Sequence, residues 1–216
     1  MDWTARIDGY CERLGPEFRA EPWNALTSLA FLLAAAVMWR RTRGMGDLRW
    51  LVAILGSIGV GSFLFHTVAT AWAALADVLP ILLFILVYLY LVNRRVMGWP
   101  ARAAALGTAA FLPYAAAVTW VLSHVPGLAV SSLYWTVPIL LLAYAPAVPH
   151  RATARGFVAG AALLSLSIAL RSLDAALCDE IPIGTHIWWH LLNALMLGWM
   201  IEVLRRHRLE AAGAGG

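Results

Sequence analysis

The sequence predicts an all-α, polytopic membrane protein: a bundle of seven transmembrane helices, N-terminus outside and C-terminus cytoplasmic. Three observations predict it. Of 216 residues, 62% are hydrophobic and 13% charged, whereas an ordinary globular domain carries about 25% charged residues. Apolar stretches long enough to span a bilayer, about 17–25 residues each, recur at 22–39, 49–66, 75–93, 101–122, 129–148, 155–173 and 184–204. Arginine, finally, alternates between the connections.

The apolar excess is too large for a single soluble core of this length, whereas lipid can cover it. The short connections predict one compact bundle. The chain divides into an extracytoplasmic N-terminal segment (1–21), a transmembrane domain (22–206) and a disordered cytoplasmic tail (207–216). The first twenty residues are mixed and polar, without the basic start, apolar run and small-residue cleavage site of a removable signal peptide.

Lysine is absent. Twelve arginines fall in alternate connections and the C-terminal region: Arg40, Arg41, Arg43 and Arg49; Arg94, Arg95 and Arg102; Arg151 and Arg155; Arg205, Arg206 and Arg208. Four fall on the other side: Arg6, Arg13, Arg19 and Arg171. Short arginine-rich loops stay in the cytoplasm, which gives the orientation and supports an odd helix count. The basic pI of 9.5 is therefore a matter of topology, and no nucleic-acid partner is expected from short membrane-flanking clusters. The expected location is a bacterial cell membrane.

Ionisable residues within a membrane are costly and usually functional. His66 closes the second span, Asp77 opens the third, and His186 and His190 open the seventh. All four fall on the side assigned to the exterior by arginine alone. His186 and His190, at i and i+4, share one helix face. That spacing suits two imidazoles gripping one metal ion, with His66 as third ligand and a fourth position left for water, the pattern of a catalytic zinc. Asp77 is then the candidate general base. Ser62, one turn before His66, can donate to a developing oxyanion. Each element also has a plainer reading: interfacial histidines in an aromatic belt with Trp188 and Trp189, a helix-capping aspartate, a small packing serine beside Gly59 and Gly61. The combination on one side of one bundle favours the metal site. His124, His150 and His207 are expected at interfaces. Cys11 and Cys178 share the outer side and can form a disulfide or remain two free thiols.

The chain resembles a known family. Gly61-Ser62-Phe63-Leu64-Phe65-His66, followed by Asp77-Val78-Leu79-Pro80, is similar to the GSxxFH…LDELP signature of the alkaline ceramidases. His186-Ile187-Trp188-Trp189-His190 resembles their HAWWH motif. Cys11-Glu12 with Ala20-Glu21-Pro22-Trp23-Asn24 resembles their CE…AEFWN stretch, and Ser172-Leu173-Asp174 through Cys178 their aspartate-to-cysteine stretch. The resemblance implies a seven-helix, zinc-dependent amidase acting on a membrane lipid with a fatty acyl amide. It implies zinc on His66, His186 and His190, proton transfer by Asp77, oxyanion stabilisation by Ser62 and a Cys11–Cys178 disulfide. It also implies calcium in the N-terminal segment, with Glu12 and Glu21 matching two ligands, Asp8 one position displaced, Tyr10 where a backbone carbonyl ligates, and Leu14 in place of a polar ligand. Calcium prefers six to eight oxygens. The alternative is that Asp8, Glu12, Glu17 and Glu21 pair with Arg6, Arg13 and Arg19 on a solvated face.

Two other functions compete. One is a hydrolase of a different lipid ester or amide. The other is a receptor-like lipid-binding bundle with structural zinc, against which Asp77 and Ser62 speak, because a structural zinc needs a closed fourth position. A retinal-binding pump is excluded by the missing Schiff-base lysine.

Overall fold

The computed structural model describes residues 2–213. Seven helices are long and apolar enough to cross a membrane: α1 (Pro22–Arg41), α2 (Gly46–Val68), α3 (Ala71–Val96), α4 (Ala101–Leu122), α5 (Ala129–Ala147), α6 (Arg151–Leu173) and α7 (His186–Gly213). The expected apolar runs coincide with these seven. α1, α2, α3 and α6 extend a few residues past the apolar run, because polar ends such as Arg40, Arg41 and Arg151 continue the backbone hydrogen bonding, whereas α5 ends at Ala147 and α7 begins at His186, one and two residues inside the expected runs. α7 departs most from expectation. It runs on to Gly213, so residues 207–213 are helical, and only 214–216 of the expected tail lie outside the described residues.

Consecutive helices pack against one another and α1 also packs on α7, which closes the ring. α7 additionally touches α2. These two are the most enclosed spans, each 61% buried over its apolar window against 11% for α4. The shared core is built from side chains such as Phe31, Leu55, Ile58, Phe157, Ile168 and Ile201. Lipid tails are as apolar as leucine, so close backbone approach has to carry much of the helix association. Gly61 shows it: a Cβ there would lie 2.1 Å from the Ala76 carbonyl oxygen and 3.0 Å from the Asp77 Cα. Only glycine lets α3 approach α2 at that level.

At the arginine-rich end, Glu202 of α7 accepts from Arg41, Arg205 and Arg206 and so ties α1 to α7. His207 is buried there, 3.0 Å from the Thr153 hydroxyl. It therefore belongs to the packing between α6 and α7 and not to an interface as expected, while His150 and His124 remain exposed.

The N-terminal segment crosses the opposite end. Ile7 donates to the Ala69 carbonyl and Ala71 to the Ala5 carbonyl (2.9 and 3.0 Å), pinning the segment to the tight α2–α3 turn. A disulfide between Cys11 and Cys178 fastens it to the α6–α7 connection. Buried Asp174 organises that junction: its carboxylate accepts from the backbone N–H groups of Cys11, Thr185 and His186 (3.1, 2.6 and 2.8 Å). An acceptor at this position satisfies the otherwise orphaned amides that open α7. Gly184, at φ +75°, is required beside it, because a Cβ would fall 2.2 Å from the Asp174 carboxylate.

Candidate metal centre

α2 delivers His66 and the first two turns of α7 deliver His186 and His190. The three imidazoles are all buried, with ring centroids 4.7 to 5.1 Å apart. Each offers a nitrogen, and these nitrogens all lie within 4.8 Å of one another. Among the described residues this is the one group of three or more histidine, cysteine or acidic side chains able to hold a metal ion.

The hydrogen bonds around the rings fit a metal. His66 Nδ1 donates to Glu21 Oε2 at 2.5 Å, while its buried Nε2 has no hydrogen-bond partner. His190 Nδ1 faces the Thr27 hydroxyl at 2.8 Å. Thr27 sends its own proton to the Trp23 carbonyl, so the imidazole is the donor and its Nε2 lone pair turns inward. His186 Nδ1 is buried without a partner. Orphaned buried nitrogens cost free energy unless something fills them. A ligand histidine that donates its other N–H to a carboxylate or hydroxyl is the usual arrangement around a protein-bound metal.

Arg13, Tyr10 and Thr27 complete the surroundings without any sequence motif to announce them. Arg13 is buried, pairs with Glu21, and also donates to the carbonyls of Gly15 and His66 (3.1 and 3.0 Å). Burial alone would raise the Glu21 carboxyl. His66 and Arg13 outweigh it and hold the group below its ordinary value, hence ionised. Tyr10 stacks on His186 with centroids 3.8 Å apart and covers the centre from the N-terminal side. Burial pushes its phenol well up, so it stays neutral.

The three carboxylates expected around calcium differ in their surroundings. Asp8 is exposed. Glu12 accepts from the Trp23 and Asn24 N–H groups (2.6 and 2.9 Å), capping α1. Glu21 serves His66, Arg13 and Asn24. Glu12 and Glu21 thus have separate partners, and a guanidinium supplies the positive charge at Glu21. The alternative pairing of Glu21 with an arginine is what the structure contains, but in a buried setting rather than on a solvated face.

Ser62 is buried beside the rings. Its hydroxyl is 3.0 Å from Ser28 Oγ and 3.3 Å from His190 Nε2. Ser28 spends its proton on the Asn24 carbonyl, so Ser62 is the donor in that pair. Asp77, half-buried on α3, lies within electrostatic reach of His66 and makes no hydrogen bond among the described residues. Below the centre an apolar pocket runs into the bundle, lined among others by Phe84, Tyr88, Tyr134, Trp189, Asn193 and Met196. Of the two tryptophans beside His190, Trp189 lines this pocket and Trp188 faces outward.

The family model described as Ceramidase matches residues 3–214, nearly the whole chain. No curated protein matches it.

Proposed function

Because the chain belongs to the ceramidase family, and so to the membrane-embedded lipid amidohydrolases, we propose that it is a zinc-dependent hydrolase that cleaves the amide bond of ceramide-like N-acyl lipids to a fatty acid and a long-chain amine. The observation that carries this reading is the convergence of three buried imidazoles, two of them with an unpartnered nitrogen, near a hydroxyl, a carboxylate and an apolar pocket whose wall includes Trp189, the neighbour of His190.

His66, His186 and His190 are the zinc ligands. Zinc bound there supplies Lewis acidity, polarising an amide carbonyl and lowering the pKa of water towards about 7. The remaining work falls to the chain. Glu21 and Thr27 fix the His66 and His190 tautomers so that both rings present a lone pair. Ser62, released from Ser28, donates to the oxyanion as the amide carbon becomes tetrahedral. Asp77 takes the proton from the attacking water and returns it to the departing amine, which a carboxylate free of other hydrogen bonds can do in both directions. The pocket lined by Phe84, Tyr88 and Met196 holds the acyl chain out of water. Arginine asymmetry supports an extracytoplasmic centre and a cytoplasmic C-terminus. The Cys11–Cys178 disulfide is in keeping with that side.

The test is incubation of purified protein with a panel of N-acyl lipids, read by mass spectrometry for fatty acid and amine, before and after chelation and after zinc is restored. Zinc-dependent release of both products is expected. Release that is indifferent to chelation, or no release from any amide, would overturn the assignment.

A further inference from the structure

Two arginines stand at the metal end of the bundle, Arg13 buried and Arg171 half-buried, and they are not equivalent. Arg13 is paired with Glu21. Arg171, in the last turn of α6, is paired with no carboxylate among the described residues. Its guanidinium has five N–H donors. One is taken by Ser131 Oγ at 2.9 Å, and a second reaches the Tyr10 hydroxyl at a long 3.5 Å. The cation lies over the rings of Tyr134 and Trp189, 4.8 and 5.6 Å from their centroids. Such contacts offset only part of the cost of a charge withdrawn from water. The charged and titratable groups that face it are Tyr10, Tyr134, Asp77, His186 and His190. Asp77 is the one acid among them and stands too far away to pair. Neighbouring Asp174 is already committed to three backbone N–H groups. An arginine inside a membrane bundle without a counter-charge is a site waiting for an anion.

Its position says which anion. Tyr134 and Trp189, the rings beneath the guanidinium, are walls of the apolar pocket. Tyr10, the hydroxyl beside it, is stacked on His186. Arg171 therefore stands between two walls of the pocket and Tyr10, one aromatic ring away from the proposed ligand His186. A lipid whose acyl chain fills the pocket and whose amide reaches the histidines carries its amine-side polar group past Arg171.

Building on the amidase reading, we propose that Arg171 is a headgroup-recognition residue and that the preferred substrate is an N-acyl lipid bearing an anionic oxygen group, a carboxylate or a phosphate, close to the amide. Guanidinium binds both through paired N–H donors. Ser131 and Tyr10 hold the fork in place.

Three amides with one acyl chain test this in the zinc-loaded protein: N-palmitoylglycine (carboxylate), N-palmitoyl-O-phosphoethanolamine (phosphate) and N-palmitoylethanolamine (neutral). The wild type is expected to favour at least one anionic amide over the neutral one by about tenfold in kcat/KM, the usual scale for a charge-assisted hydrogen bond. The preference identifies which anion is read. Arg171→Gln should bring that ratio close to one, mainly through KM, and Arg171→Lys should restore part of it. A ratio is insensitive to the fraction of folded enzyme, so instability of a variant does not mask the result. Equal use of all three amides by the wild type, or a ratio unchanged in Arg171→Gln, overturns the proposal and leaves the amidase reading intact. Thermal stabilisation by the same lipids separates the converse case. Selective, Arg171-dependent stabilisation by the anionic lipids without any cleavage would sink the amidase reading and keep the anion site.

Discussion

Replacing Gly61 by alanine puts one methyl group between α2 and α3. The added Cβ would stand 2.1 Å from the Ala76 carbonyl oxygen, 2.7 Å from its carbon and 3.0 Å from the Asp77 Cα, whereas ordinary contact begins at 3.4 Å. All three obstacles are backbone, so no rotamer change relieves them, and α3 has to retreat by at least ~1 Å. Overpacking of this kind costs about 1–3 kcal/mol of stability. Its effect on chemistry is larger. α3 carries Asp77 but none of the three histidines, so the retreat moves the proposed base and leaves the metal site in place. A misplacement near 1 Å can cost about a hundredfold in rate. The assay compares turnover, zinc content and thermal unfolding of Gly61→Ala with Gly56→Ala, earlier on the same helix, where a Cβ meets only Ala35 at 3.8 Å. Gly61→Ala is expected to keep zinc, melt lower and lose most turnover, and Gly56→Ala to behave like wild type. Wild-type turnover in Gly61→Ala would refute both the rigid α2–α3 contact and the role given to Asp77.

Four further outcomes are expected. His190→Ala should lose zinc and hydrolysis together; elemental analysis finding wild-type zinc would remove it from the ligand set. Asp77→Asn should retain zinc and lose most turnover, and surviving activity would place the base elsewhere. Arg13→Gln should leave Glu21 without its cation and weaken zinc binding by about 10–100-fold, as loss of outer-shell partners typically does; an unchanged chelator titration would argue that Arg13 is only packing. Calcium at millimolar concentration should leave the melting temperature unchanged, because Glu12 and Glu21 are bonded to different partners and Asp8 is exposed, and a clear upward shift would contradict that geometry.

The fold was legible because its signal is carried by runs of one chemical character: an apolar run of bilayer length has few alternatives to a span. The histidines were legible because i, i+4 spacing is a local statement about one helix face. Glu21 was harder. Its sequence setting suggested calcium, and only the fold reveals that Arg13 and His66, 8 and 45 residues away, claim its two oxygens. Tyr10 and Thr27 carry no spacing rule, since each meets its histidine across more than 160 residues. Arg171 was visible only as one more outer-side arginine. That its charge lacks a partner is a property of what surrounds it, which linear patterning cannot express. The expected tail failed for a different reason. Ala211 and Gly213 have little to bury, but α7 arrives already hydrogen-bonded and extends through them.

The closure of the ring by α1 and α7 has a bearing on biogenesis. The second span enters the bilayer carrying His66, and the segment before the first span carries Arg13 and Glu21. The matching pair of imidazoles is translated more than a hundred residues later. Until that final helix inserts, the nascent bundle holds a gap where α7 belongs, and Cys11 has no Cys178 to meet. The centre is thus the last part of the protein to exist, and a chain truncated ahead of His186 would leave a solitary imidazole facing lipid in place of a competent enzyme.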